Sequence, residues 1–236
     1  MDAIAAIWAK AEADLVIPNA RGGQDRLLWE HTVSVTRASQ RVAALPAASQ
    51  RNPDLVILTV ASLYHDAAYA IDQHGAGFVD VDCITRAGDG ATRDRSAEVA
   101  LDRLQGLLEP GVLNAAAEVI RETGKRECRR VESQIIRDAD NLYQLGLLTL
   151  WPLIRQSVST GQGPGDLILR WRTWKAYEYL PARRTTFFFE DVQRLAEERM
   201  RVFDRFVEDL GREFEGADLA FLVADNPVSA PPASPA

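Results

Sequence analysis

Two of the three histidines in this sequence lie on apolar stripes, where an imidazole without a partner is costly to bury. His31 precedes Val35 by four residues, so the two side chains share one face of a predicted helix. His65 lies in the apolar run NPDLVILTVASLYHDAAYAI, and Asp66 follows it directly. An imidazole and a carboxylate buried side by side indicate a third group that pairs with both.

A third segment, VESQIIRDADNLYQLG, directs a carboxylate inward. Asp138 comes three residues after Ile135 and four before Leu142, which places it on the apolar stripe. Taken singly, a buried His usually has one hydrogen-bond partner, and a helical Asp is usually solvated or caps a turn. Taken together, three helices aim metal-type ligands inward, and one divalent cation would satisfy them all. Asp140 also leans inward, and the sequence leaves open whether it supports this site or caps a turn.

The order His31, His65-Asp66, Asp138 resembles the H…HD…D signature of the HD-domain superfamily of metal-dependent phosphohydrolases. The flanking segments WEHTVSVTRAS, LYHDAAY and RDADNLYQLG are similar to those of a group with the pattern HD-x-x-Tyr. The resemblance covers about residues 26–146 and implies that these four residues ligate one metal ion. Mixed N and O ligands suit Mn²⁺, Fe²⁺, Co²⁺, Ni²⁺ or Zn²⁺, with Mg²⁺ also open.

The resemblance also implies a catalytic acid, and here the sequence departs from the common pattern. Many HD phosphatases carry a Glu three residues after the Asp of the HD pair, where this chain has Tyr69. In the HD-x-x-Tyr group the acid comes later, in a segment similar to RDRSAEVA, so Asp94 is the first candidate and Glu98 the second. An acid near a helix start also suits the helix dipole, which is a structural alternative for Asp94. Asp66 is expected to orient the attacking water as well as to bind metal.

The implied substrate is a small phosphorylated molecule, with nucleotides among the candidates. Lys125 and Arg129 precede the last ligand helix, and Arg137 adjoins Asp138, so these three are candidate phosphate-binding residues. A solvated charged face is the alternative for the basic run.

Two other functions remain open at this point. The residue at position 69 fits an HD module that binds a metal or a nucleotide as a sensor without efficient catalysis. An HD-type iron oxygenase is the third reading, but it needs more histidines than this chain offers, since His74 is the only further one.

Composition limits the class of protein. The chain has 236 residues, 47% hydrophobic and 26% charged, with a formal net charge of −7, which argues against a protein that binds nucleic acid through its phosphates. No apolar run reaches the roughly 18 residues of a membrane span, and the start does not read as a secretory signal. Cys83 and Cys128 show no metal or disulfide spacing. These features predict a cytoplasmic protein without a membrane partner, and homo-oligomerisation stays open.

The sequence predicts that almost all of the elements that position these residues are helices. The sequence predicts an all-α, HD-domain-like helical bundle with a C-terminal helical extension. Asn52 and Pro53 predict the N-cap and first position of the helix that carries His65. Helices are predicted over 2–15, 25–45, 53–72, 92–108, 111–123, 130–146, 147–159, 166–179 and 187–214, with a long loop over 72–92.

These elements predict a single helical domain over residues 1–215. Its metal-site core spans about 26–146 and its helical extension about 147–215. Residues 216–236 form a C-terminal segment that ends in a Pro/Ala/Ser-rich tail, a composition typical of disorder.

Overall fold

Helices make up nearly all of the regular structure in the computed structural model, which describes residues 3–18, 22–74, 89–125, 127–177 and 186–223. The prediction of an all-α protein is therefore confirmed. Two antiparallel strands of two residues each, β1 (Ile17–Pro18) and β2 (Gln24–Asp25), join the first two helices. The helices are α1 (Ala3–Leu15), α2 (Leu27–Ala43), α3 (Pro46–Ser49), α4 (Leu55–Tyr64), α5 (Ala67–His74), α6 (Gly90–Arg103), α7 (Pro110–Thr123), α8 (Val131–Gln144), α9 (Leu150–Ser159), α10 (Pro164–Ala176), α11 (Glu190–Phe214) and α12 (Ala220–Val223).

The helix α4 lies at the centre of the bundle. Its sequence LVILTVASLY is apolar on all sides, so it is stable only when surrounded by other helices. It packs against α2, α7 and α8, while α6 packs on α7 and on α5. The C-terminal end of α4 and the start of α5 therefore lie deep in the protein, between α2, α6 and α8.

The N-terminal end of α4 differs from its prediction by two residues. Asp54, not Asn52, is the N-cap, and its side chain accepts hydrogen bonds from the backbone N–H groups of Val56 and Ile57 at 2.9 and 3.0 Å. Asn52 instead adopts a left-handed backbone conformation with φ of 50°. Asp and Asn are equally good caps. Asn52 lies in the turn before α4, so Asp54 is the residue at the start of the helix.

The predicted helix over 53–72 is two helices, α4 and α5, separated by His65 and Asp66. In a continuous helix the N–H of Tyr69 would donate to the carbonyl oxygen of His65. Here it donates to the carbonyl of Asp66 at 3.1 Å, and the guanidinium of Arg93 donates to the His65 carbonyl at 2.7 Å. A side chain from α6 thus takes the place of a backbone donor, and the break follows from that contact.

The extension predicted over 147–215 contains a 3₁₀ turn at Leu147–Thr149 and the helices α9 to α11. Trp171 of α10 packs on Phe203 of α11, with ring centroids 4.3 Å apart, and its indole N–H donates to Asp204 at 2.8 Å. The segment after position 215 begins with a 3₁₀ turn at Ala217–Leu219 and α12, and its predicted disordered tail beyond 223 lies outside the described residues. Most of the predicted 72–92 loop, with Cys83, also lies outside them. No helix in the described ranges is both long and apolar enough to cross a bilayer.

Candidate metal centre

Polar side chains from four separate parts of the chain meet at the junction of α4 and α5. The Nε2 atoms of His31 and His65 each lie 3.3 Å from the same carboxylate oxygen, Oδ2 of Asp66. Asp140 of α8 approaches from the other side, with Oδ1 3.6 Å from Nε2 of His31. His31, His65 and Asp66 are at most 4% exposed. One ligand atom from each of these three lies within 4.8 Å of the others, a spacing that suits one metal ion.

The imidazole of His65 is oriented for a metal by its other nitrogen. Its Nδ1 lies 2.7 Å from the carbonyl oxygen of Ser62, so Nδ1 carries the proton and donates it. The lone pair of Nε2 therefore points toward Asp66. Burial lowers the pKa of His65, which favours the neutral form that metals bind.

Buried nitrogens without a hydrogen bond mark this cluster as incomplete. Among the described residues, Nε2 of His65 and both ring nitrogens of His31 have no hydrogen-bond partner. Leaving a buried polar atom unsatisfied costs roughly 1–3 kcal/mol. A divalent cation would bind the two Nε2 atoms and neutralise the two carboxylates, so the donor set fits such an ion.

Arg93 of α6 holds the carboxylates in place. Its buried guanidinium donates to Oδ1 of Asp66 and, at 3.2 Å, to Oδ2 of Asp140. The other oxygen of each carboxylate, Oδ2 of Asp66 and Oδ1 of Asp140, is left facing the imidazoles. When a hydrogen bond fixes one oxygen of a carboxylate, the other oxygen is oriented as well, and this is the arrangement expected around a metal ligand.

The same arginine sets the charge of the site. Burial alone would raise the pKa of Asp66, but Arg93 and the histidines hold it below its ordinary value. Burial would likewise lower the pKa of Arg93, but Asp66 and Asp140 raise it above its ordinary value. Asp66 is therefore an ionised carboxylate at neutral pH.

A glycine makes room for this arginine. A Cβ atom on Gly124, just after α7, would lie 2.9 Å from Cγ of Arg93 and 3.0 Å from the Cα of Gly90. We expect Gly124→Ala to displace Arg93 and to lower the free energy of unfolding by roughly 1–3 kcal/mol, the usual cost of overpacking. Chemical denaturation measures it. Gly111→Ala, where a Cβ would meet no atom within 4 Å, is the matched control, and equal losses in both variants would contradict this account of Gly124.

Asp138, predicted as a metal ligand, lies elsewhere. Its carboxylate accepts hydrogen bonds from the backbone N–H groups of Phe188, at 2.9 and 3.1 Å, and of Phe189, at 2.9 Å. Burial raises its pKa to about 7. Residues two apart on a helix point about 200° apart, so Asp138 and Asp140 cannot both face His31. The structure brings Asp140 to the cluster and uses Asp138 to join α8 to the start of α11.

The predicted catalytic acids Asp94 and Glu98 are not brought to the cluster either. Both are exposed, because the inner face of α6 is formed by other residues. Glu98 lines a separate groove between α6 and α7. The residue of that segment that reaches the cluster is Arg93. Arg93 precedes Ala97 by four residues and Ala100 by seven, and this helical spacing from small apolar residues is the sequence signal for an inward-facing side chain.

The three predicted phosphate-binding residues are spread over the loop before α8 and α8 itself. Lys125 and Arg129 are exposed. The guanidinium of Arg137 donates to the Lys125 carbonyl at 2.9 Å and lies 5.3 Å from the ring centre of Phe188. These contacts give Arg137 a structural role, and a role in substrate binding stays a prediction for all three.

Tyr143 of α8 was not among the sequence-predicted site residues. Its ring stands edge-on to that of His31, with centroids 4.4 Å apart and an angle of 89°. Burial, with the nearby carboxylates of Glu30 and Asp140, raises its pKa to about 12, so its phenol is neutral. Tyr143 forms the wall of the cluster on the side of α2 and α8.

Comparisons with known proteins agree on the architecture. No protein-family model matches the sequence, and no curated protein matches it. A solved structure described as a predicted HD superfamily hydrolase from an uncultured Thermotogales bacterium is similar, with a TM-score of 0.54 at 18% identity over 89% of this chain and 92% of that one. Bacillus subtilis YpgQ gives a TM-score of 0.58 at 15% identity, over 89% of this chain and 95% of that one.

The YpgQ structure has also been solved in complex with ADP, and in that form its TM-score is 0.56 at 15% identity, over 89% of this chain and 97% of the other. At such identities the likeness concerns the fold. It covers nearly all of this chain and of each similar structure. The chain therefore shares its fold with a protein described as a predicted HD superfamily hydrolase and with YpgQ, as the resemblance in its sequence led us to expect.

Proposed function

We propose that this protein is a metal-dependent phosphohydrolase of the HD superfamily. One divalent cation would be held by Nε2 of His31, Nε2 of His65, Oδ2 of Asp66 and Oδ1 of Asp140. One observation carries this proposal. Two buried imidazole nitrogens, which have no hydrogen-bond partner among the described residues, approach the same oxygen of an ionised aspartate.

The residues of the site divide the chemical work. A bound divalent cation supplies Lewis acidity, which polarises a phosphoryl oxygen and lowers the pKa of a bound water. Asp66 is kept ionised by Arg93, so its carboxylate can orient the attacking water. Arg93 holds the carboxylates of both aspartates in position through hydrogen bonds, and the neutral ring of Tyr143 shields His31 from solvent.

Two observations bear on the substrate. The fold is shared with a protein solved in complex with ADP, which supports a nucleotide as the phosphorylated substrate. The cluster also carries a positive guanidinium next to its carboxylates, which lowers the repulsion that a phosphate would meet. A small phosphate ester, with nucleotides as the first group to assay, is therefore the proposed substrate class.

A metal-binding sensor is the second candidate function. Within the described ranges, the acids at the cluster are Asp66, which belongs to the group spaced for a metal ion, and Asp140, whose Oδ1 lies 3.6 Å from Nε2 of His31, and both are proposed above as ligands. Asp94 and Glu98 are exposed on another face of α6, so in the part of the chain that the structure describes no separate carboxylate lies at the cluster to act as a general acid. A protein with a complete ligand set and no separate acid fits a module that binds without fast turnover.

The experiment that decides between them combines metal analysis with a hydrolysis assay. The purified chain is stripped with a chelator, reloaded with Mn²⁺, Fe²⁺, Co²⁺, Ni²⁺, Zn²⁺ or Mg²⁺, and assayed for phosphate release from nucleotides and generic phosphate esters. We expect one equivalent of metal, turnover that returns on reloading, and no restored turnover in His65→Ala. Stoichiometric metal without phosphate release from any ester would favour the sensor.

A further inference from the structure

A groove of about 510 Å³ is lined in part by Tyr143, whose ring also contacts His31 of the metal cluster. One wall is the outer face of α2, and the opposite wall is formed by α8, the 3₁₀ turn after it and α11. Its volume falls within the roughly 300–1,000 Å³ of pockets that bind small molecules. The residues that line it include Trp29, Val33, Arg37, Arg41, Tyr143 and Arg199.

The groove is lined mainly by positive charge, although the protein as a whole is negatively charged. Arg37, Arg41 and Arg199 line it against one acid, Glu30, in a chain whose formal net charge is −7. None of the three arginines forms an ion pair with a carboxylate of the described residues. Such a cluster attracts anions and leaves its N–H donors available to them.

The three arginines line the groove from two different helices. Arg37 and Arg41 are four residues apart on α2, so their side chains leave neighbouring points of one helix face. Arg199 faces them from α11, where its guanidinium donates to the Leu142 carbonyl at 3.2 Å. Its stem lies against Gly146, where a Cβ would come within 3.1 Å of the Cδ of Arg199. Arg199 is thus held in place before any ligand binds.

The groove also has an apolar floor. Trp29 and Val33 precede Arg37 on the same face of α2, at intervals of four residues, and Tyr143 lies across from them. Aromatic and aliphatic walls beside a few fixed cations are the usual make-up of a site for a molecule with an apolar ring and a charged tail. Arginine is the side chain best suited to the oxygens of a phosphate, because its planar fork donates two parallel hydrogen bonds.

We propose that this groove is a second binding site, separate from the metal cluster, for a small molecule that carries a di- or triphosphate and an apolar ring. The phosphates bind between Arg37, Arg41 and Arg199, and the ring lies on Trp29 and Val33. The site does not depend on the proposed hydrolysis, because none of these side chains belongs to the metal cluster. Tyr143 lines the groove and its ring also contacts His31, so the two sites are neighbours.

The test measures binding of inorganic pyrophosphate and of ATP to the full chain by titration calorimetry, with excess chelator present so that no metal bridges the ligand. We expect binding by the native chain, and binding weaker by roughly tenfold or more in the double variant Arg37→Ser/Arg41→Ser, which loses two charge-assisted contacts. The matched control is Arg201→Ser/Arg205→Ser, which removes the same charge at the same spacing from an exposed part of α11 outside the groove. That control should bind like the native chain.

Three results would overturn the proposal. One is the absence of pyrophosphate and ATP binding by the native chain. Another is an equal loss in the two double variants, which would mean general attraction to positive charge. A third is loss of binding in His65→Ala, provided that circular dichroism shows this variant folded, because that would assign the ligand to the metal cluster. Failure of any kind here leaves metal-dependent hydrolysis untouched, since that is assayed with metal and by phosphate release.

Discussion

Asp140→Ala is expected to lose the bound metal, whereas Asp138→Ala is expected to keep it. Both changes delete a carboxylate from α8, two residues apart, so they are matched in chemistry and in helix position. Of these two residues, Asp140 is the one that places an oxygen, Oδ1, near Nε2 of His31, at 3.6 Å. Loss of a ligand should lower metal affinity by more than the roughly 10- to 100-fold that follows from changing a group behind a ligand.

The cost of Asp138→Ala is expected in stability instead. Removing this buried carboxylate leaves the N–H groups of Phe188 and Phe189 without their acceptor. Each buried group left unsatisfied costs roughly 1–3 kcal/mol, and the start of α11 loses its attachment to α8. The free energy of unfolding should therefore fall while the metal content stays at one equivalent.

Metal content after dialysis and chemical denaturation of each variant provide both readouts. The reverse pattern, with metal lost from Asp138→Ala and retained by Asp140→Ala, would restore the ligand set that the sequence resemblance implied. Asp140→Asn adds a conservative variant, because it keeps the size of the side chain and removes only its charge.

Arg93→Gln is expected to give the largest loss of stability among changes at the site. The guanidinium contacts Asp66, Asp140 and the carbonyl of His65, and all of these contacts are buried or nearly so. Removing one partner of a buried ion pair typically costs about 3–5 kcal/mol, because it leaves the other charge buried and uncompensated. Here two carboxylates would be left in that state.

Metal should restore part of what Arg93→Gln removes. A divalent cation at the cluster neutralises the same carboxylates, and a ligand that binds only the folded state raises its stability. Denaturation with and without saturating Mn²⁺ should therefore show a larger metal-dependent gain in this variant than in the native chain. Arg95→Gln, on the exposed face of the same helix, should change stability by about 0.5 kcal/mol or less. A loss in Arg93→Gln no greater than in this control would refute the role given to Arg93.

Most of the fold and the centre of the site could be predicted from the sequence. Helical periodicity predicted the bundle, and it identified His31 and His65 as polar residues on apolar faces. Asp66 followed from its place beside His65. The break at this pair could not be predicted, because the run from 53 to 72 is mostly apolar on both sides of the pair and has no Gly or Pro after Pro53. The donor to the His65 carbonyl, Arg93, lies 28 residues further along the chain.

The choice between Asp138 and Asp140 shows a different limit. Both acids lean toward the protein interior, and Asp138 is indeed the more buried, so periodicity favoured it. Its partners are backbone N–H groups 50 and 51 residues away in the segment before α11, which no local pattern reveals. The inward position of Arg93 could be predicted from the sequence, since it precedes Ala97 and Ala100 of α6 at helical spacing, whereas its neighbour Asp94 faces outward.

The most direct test of the metal centre is a crystal structure of the Mn²⁺-loaded chain with an anomalous difference map. The account predicts one peak at the junction of α4 and α5, ligated by Nε2 of His31, Nε2 of His65, Asp66 and Asp140, with Asp138 still bound to the N–H groups before α11. A peak ligated by Asp138, two peaks at the junction, or no peak between the two histidines would contradict it.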